Sequence, residues 1–374
     1  MERLEGMKLV RSWLALLAVA PIVLPAQEVP PDTTQPAEPV GHEALNLFGT
    51  AGLSIGNSAR WSGIRLNFRD HAVERVNGVN LTVWPAKANA TMEMNGLALG
   101  IAGPMGGRFT GASIGLLGAI ADRGFAGLTV AGLGAVSNGA MAGINVAGLG
   151  MVSQGAISGI TVAGLGLVGE SGIHGVTVAG LGTVSQGDME WINVSGLGTV
   201  SSGAMRGINL AGLGLVASRD LSGISFGGLA AIGNGGVHGV AVSGLAVVAD
   251  GGISGVGIGG LAVVATGPLN GFGASVGAVV SDPGTRGIAL AGYHVEGAHW
   301  LEGFAASVAW NRIGDLSGVA IGGYNYIKGD QHGLTIGIYN DAVRLHGVQL
   351  GLVNRARNNR GIWRVLPILN VHLH

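Results

Sequence analysis

Apolar residues along the centre of this chain recur with a strand-like alternation that slips once in every sixteen residues. Gly143–Ser158, GINVAGLGMVSQGAIS, is one copy of the pattern. Numbered from its first glycine, positions 2, 4, 7 and 10 are nearly always Ile, Val or Leu, and position 15 is Ile, Leu, Met or Val. Positions 2 and 4 share one face of a strand. Position 7 has the opposite parity, so the phase changes between them, and the Ala-Gly at positions 5 and 6 is where a bulge or kink is expected. The position-6 glycines, Gly132, Gly148, Gly164, Gly180, Gly196, Gly212, Gly228, Gly244 and Gly260, are therefore read as a backbone constraint. Position 1 holds Gly127, Gly143, Gly159, Gly175, Gly207, Gly223, Gly239, Gly255 and Gly271, with Trp191 in the gap. That tolerance assigns the first glycine to packing rather than to a forced φ.

Degenerate copies flank the array. Gly63–Arg69 (GIRLNFR) and Gly78–Trp84 (GVNLTVW) alternate apolar with polar residues, as two-faced strands do. Beyond Gly271 the spacing holds at Gly287 and Gly303, then shortens through Gly318, Gly333, Gly347 and Gly361. The whole amounts to about twenty units, each read as one strand and one turn. The turns are polar and glycine-rich, as in Ser153-Gln154-Gly155 and Asp250-Gly251-Gly252. A unit this short cannot bury its own apolar face, so neighbouring copies must cover it.

Two all-β architectures satisfy that demand. The first is a closed up-and-down antiparallel β-barrel-like ring of about twenty short strands built from 14–16-residue repeats. About ten strand residues, tilted about 45°, would span about 24 Å, close to the apolar thickness of an outer membrane. The alternative is a parallel β-solenoid, favoured by the constant period and by the likeness of odd and even copies. The ring is the leading expectation because the chain is only 11% charged with 72 glycines, a composition short of charge for a water-facing exterior. Against the ring, a membrane barrel carries aromatic girdles whereas aromatics here are 5% of the residues, concentrated late at Tyr293, Trp300, Phe304, Trp310, Tyr324, Tyr326, Tyr339 and Trp363.

The amino terminus supplies an address. Arg3, Lys8 and Arg11 precede the apolar run Trp13–Leu24 and then Pro25-Ala26-Gln27, the layout of a signal peptide over residues 1–26. Residues 27–42 read as a Pro-rich flexible leader, and 43–374 as one β-repeat domain with its regular array at 127–286. An exported protein of the outer membrane or cell surface is expected. A net charge of −1 gives no field for nucleic acid, and the absence of cysteine excludes disulfides and thiolate chemistry.

Catalytic motifs dissolve into the repeat. Gly-x-Ser-x-Gly occurs at Gly111–Gly115, Gly223–Gly227 and Gly273–Gly277, but each serine sits on the strand lattice rather than at a strand-to-helix elbow. Gly255–Gly260 fits a dinucleotide pattern without a following helix. Among the ten histidines, His174 and His238 occupy position 16 four repeats apart, and His372 with His374 lies on one face of the last strand; no metal and no cofactor is expected from them. Polar strand residues gather at the two ends of the chain. Arg65, Asn67, Arg69, Gln349, Arg355 and Arg357 are expected to form one polar, net-basic sector if the ring closes, able to meet lipid phosphates, an envelope polymer or a small anion.

The units Gly318–Asn325 (GVAIGGYN), Gly333–Asn340 (GLTIGIYN) and Gly347–Asn354 (GVQLGLVN), with the closing Leu366-Pro367-Ile368-Leu369-Asn370 and the early Gly78–Lys87, resemble a family of exported bacterial surface-repeat proteins. The resemblance implies a repeat-built β protein of the cell envelope and brings no catalytic residue. The function expected is structural and non-enzymatic: lipid-facing Ile, Val and Leu strands with polar turns displayed outside. Membrane lipid is the expected partner, with an envelope polymer or surface partner as another. The alternatives are a soluble or surface-attached solenoid that binds a partner, and a passive pore for small solutes.

Overall fold

The computed structural model of the chain describes residues 44–49, 51–87 and 89–373. The expected signal peptide, the leader and His374 lie outside the described residues. The described residues fall into two compact units, one ending at Gly187 and one beginning at Asp188.

Each unit is a parallel β-solenoid. In the first, the strand Ile157–Ala163 pairs in parallel with Ala140–Ala147 on one side and Ile173–Ala179 on the other, glycine on glycine. In the second, Met205–Ala211 pairs in the same way with Met189–Ser195 and Asp220–Gly227. Two antiparallel pairings stand among the described residues: Ala44–Leu47 on Ala51–Gly56, and Val365–His372 on the last stretch of Tyr324–Ala356. The closed antiparallel ring is thus corrected to its alternative. Parallel coils stacked in register need equal lengths, which is why the period holds at sixteen; hairpin loops carry no such requirement. The transmembrane β-strand and the passive pore fall with the ring. These strands close no wall, and side chains such as Met141, Met151 and Ile157 fill the coil interior.

Each regular copy makes two strands rather than the expected one. Ile157–Ala163 is followed by the corner Gly164-Leu165, then the short strand Gly166–Gly169, then a second, polar corner. The phase slip read from the sequence is this first corner. It puts Leu165 outside while Ala163 and Leu167 on either side are buried.

The position-6 glycines keep ordinary φ. A Cβ on Gly132, Gly148, Gly164, Gly180, Gly212, Gly228, Gly244 or Gly260 would lie 1.8–2.2 Å from a carbonyl oxygen of the preceding coil, so the constraint there is space. Position 1 differs from the sequence reading. From Gly127 to Gly271 its glycines have φ between 97° and 129°, and a Cβ would also strike the preceding coil. Trp191 holds the same left-handed region at φ 86° and is 68% exposed.

The Ile, Val and Leu rows at positions 2, 4 and 7 lie on the outside of the coil, and the interior is built from the alternate positions. Positions 3, 5, 9, 11 and 15 face inward, so Thr161, Ala163, Leu167, Gly169 and Ile173 are buried while Ile160, Val162 and Leu165 are exposed. Phe109 and Phe125 stack inside the first unit at 5.3 Å. In the second, Asn311, Asn325, Asn340 and Asn354 form a buried amide ladder, each Nδ2 donating to the next Oδ1 at 2.7 Å. The same Nδ2 atoms of Asn311, Asn325 and Asn340 also donate to backbone carbonyls at 2.9 Å. These pairings meet most of the hydrogen-bonding demand of amides held away from water, with Asn311 Oδ1 at the end of the ladder left without a partner.

Candidate functional surface

The two corners of each coil have opposite chemistry, and stacking turns each into an edge. In the first unit the Gly-Leu-Gly corner sets Leu133, Leu149, Leu165 and Leu181 in one exposed line. In the second it sets out Leu197, Leu213, Leu229 and Leu261. The corner backbone is drawn into the fold. Gly148 N–H donates to Ala131 O at 3.0 Å, Leu149 N–H to Leu133 O at 2.7 Å and Gly150 N–H to Leu133 O at 3.2 Å. Leu213, Leu229 and Leu261 repeat the bond to the leucine one coil back at 2.6–2.7 Å. From position 5 to position 9, no copy in the regular array carries a charged residue.

In each unit aromatic residues stand at repeat positions 6 and 7 of copies outside the regular array. In the first unit these are Phe68 and Trp84, whose rings stack at 6.3 Å. In the second they are Tyr293, Tyr324 and Tyr339, with Trp310 one position on and 6.4 Å from Tyr293. His294, at position 8 beside Trp310, has its pKa lowered by burial, against the smaller opposing pull of Glu296. The late aromatics thus belong partly to this edge. Phe68 and Trp84 were missed because their units are degenerate, although their place relative to Gly63 and Gly78 marks them.

The opposite edge is polar. In the first unit Arg60 pairs with Glu74 at 2.5 Å, and Arg75 with Glu93. Hydrogen bonding and charge from Arg75 lower the Glu93 pKa. In the second unit Asp188 accepts from Ala204 N–H at 3.0 Å, from Arg206 at 2.8 Å and from Arg219. These donors, the backbone N–H first, hold its pKa down at about 2. Arg206 also reaches Glu190 at 3.0 Å, and Arg286 pairs with Glu302 at 2.7 Å.

The residues expected to form a basic sector have unlike surroundings. Arg65 is fully buried, donating to Asp70 at 2.5 Å, Asn80 at 2.7 Å and Asn57 at 2.8 Å. Asn67 donates to Asp70 at 2.8 Å, and Arg69 is exposed on the apolar edge. All three belong to the first unit. In the second unit Gln349 is buried and donates to Gln331 at 3.0 Å, while Arg357 pairs with Asp341 at 2.7 Å and Arg355 approaches it at 3.8 Å. The sealed ring that would have joined the two groups is not the architecture.

Other candidate chemistry is absorbed by the coil. Ser113 and Ser225 of the Gly-x-Ser-x-Gly matches are buried in the interior. Among the described residues no group of three or more His, Asp or Glu side chains could hold a metal. His332 stacks on His346 at 4.9 Å, and His372 meets His346 edge-on at 6.1 Å.

The chain is a β-solenoid repeat protein, amphipathic across its coils in both units. No protein-family profile, no curated protein and no solved structure matches it.

Proposed function

We propose that this protein is an exported, non-enzymatic solenoid of the cell envelope that lies against a lipid surface along its leucine edge, with the polar edge turned to water. The observation that carries this reading is the corner itself. In the regular array it bears a line of leucines, no charge, and N–H groups already bonded to the preceding coil. Backbone donors that enter hydrocarbon unpaired cost several kcal/mol each, and these are spared that cost. Each half-exposed leucine withdrawn from water contributes on the order of 1 kcal/mol. Tyr and Trp toward the end of the second unit's line suit the headgroup boundary. His294, its pKa lowered, adds no charge there at neutral pH. The family resemblance and the signal-like amino terminus support the envelope.

Flotation of the purified protein with neutral phosphatidylcholine vesicles tests the reading. The protein is expected in the floated fraction, and in the soluble fraction when vesicles are omitted at low protein concentration. Full recovery below the vesicle layer would overturn it.

A second reading is a module that binds an apolar partner through its flat long-strand face. It is favoured by Ile144, Ile160 and Val162, which stand exposed on that face. Substitution of Ile144 and Ile160 by Asp, with vesicle binding retained but partner capture lost, would separate it from the first.

A further inference from the structure

The first unit carries an apolar groove of about 770 Å³ beside the aromatic start of its leucine edge. Its walls are the outward residues at positions 4 and 6 of five successive coils, Leu66, Phe68, Leu81, Val83 and Ile101 among them. Four strand spacings of about 4.8 Å make the groove about 19 Å long. One leaflet of bilayer hydrocarbon is about 15 Å deep. A single acyl chain therefore fits along it.

Beside the second and third of these coils the charge is one-sided. Arg69 and Lys87 are both exposed, and neither side chain has a hydrogen-bond or ion-pair partner among the described residues. They flank the Phe68–Trp84 stack on neighbouring strands: Arg69 is in register with Trp84, and Lys87 with His71. The nearest acid in sequence, Asp70, is buried and committed to Arg65. Glu74 is paired with Arg60 on the opposite edge. The arginines named on the polar edge each have a carboxylate, whereas this exposed pair on the apolar side is open to water and to an anion from outside.

We propose that this groove seats one acyl chain of an anionic phospholipid whose phosphate is held by Arg69 and Lys87. The proposal rests on the interfacial reading above and adds a headgroup preference to it. The leucine edge alone would bind neutral and anionic bilayers equally. Two exposed basic groups near a negative membrane strengthen attachment about fivefold each.

The test is co-sedimentation with phosphatidylcholine vesicles and with vesicles containing phosphatidylglycerol, circular dichroism confirming the fold of each variant. Wild type is expected to bind the anionic vesicles about 25-fold more tightly, two fivefold steps. The double variant Arg69→Gln/Lys87→Gln is expected to lose that preference and keep its binding to neutral vesicles. Arg60→Gln/Arg75→Gln removes the same charge from the polar edge and is expected to keep the preference. Leu81→Trp, which narrows the groove, is expected to weaken binding to the anionic vesicles about tenfold. Binding to neutral vesicles without an anionic preference would overturn this site and leave the interfacial reading standing, whereas failure on both vesicles would remove the interfacial reading first. Equal loss from the two charge variants would replace the site with a diffuse field, and an unaffected Leu81→Trp would remove the acyl-chain seat.

Discussion

Ile160 and Thr161 are consecutive, yet Ile160 is 47% exposed and Thr161 is 1% exposed. The larger apolar side chain faces out and the smaller polar one faces in. Alternation along a strand allows either assignment, and the narrow coil interior selects the smaller residue.

This inversion sets the first expectation. Ile160→Thr should leave the thermal midpoint nearly unchanged, because the outer face is already wet. Thr161→Ile should destabilise by about 1–3 kcal/mol, the usual cost of overfilling a packed interior. Denaturant titration of the two variants side by side measures both. Equal effects would mean that the interior has room to spare.

The glycine positions separate two kinds of constraint. Gly164→Ala puts a Cβ about where the carbonyl oxygen of Gly148 lies, at 1.8 Å, so stacking of that coil should fail and the thermal midpoint fall steeply. Trp191→Gly should raise it instead. Releasing a side chain from φ 86° recovers about 1–2 kcal/mol, offset by the added freedom of glycine in the unfolded chain.

Asn325 occupies the middle of the amide ladder, between Asn311 and Asn340. Asn325→Leu should cost about 2–4 kcal/mol, since it strands a donor on Asn311 and an acceptor on Asn340 in the interior. Hydrogen exchange should show the loss concentrated in Trp310–Ile321 and Tyr324–Ala356, because each coil leans mainly on its neighbours.

Asp188 gives a pH dependence of defined sign. Its folded pKa of about 2 lies below the ordinary 3.8, so the stability it contributes is present above pH 4 and lost as pH falls toward 2. The contribution is about 1–2 kcal/mol after allowance for partial exposure. Asp188→Asn should lower stability at neutral pH by about that amount and flatten the acid limb of a pH-dependent melt.

The leucine edge makes the functional prediction. Leu149→Glu/Leu165→Glu places two charges on side chains that already face water, so the melt should change little. Flotation with neutral vesicles should drop at least tenfold, since a buried carboxylate opposes insertion. Full vesicle binding by a folded double variant would exclude this edge as the attachment surface.

The repeat determined a good deal by itself. Sixteen-residue spacing, glycine at fixed positions and polar turns such as Ser153-Gln154-Gly155 dictate identical β units that stack on one another. They also place a change of phase at Ala163-Gly164. Only the tertiary structure decided between hairpins and coils, because strand periodicity is the same whether neighbours run parallel or antiparallel. It also decided which face is inside, since an alternating strand has two faces and the choice between Ile160 and Thr161 depends on the width of the space across the coil. The leucine edge arises from the same cause. Leu165 becomes a line with Leu149 and Leu181 only when copies stack in register, and register belongs to the hydrogen bonds between coils rather than to any one copy.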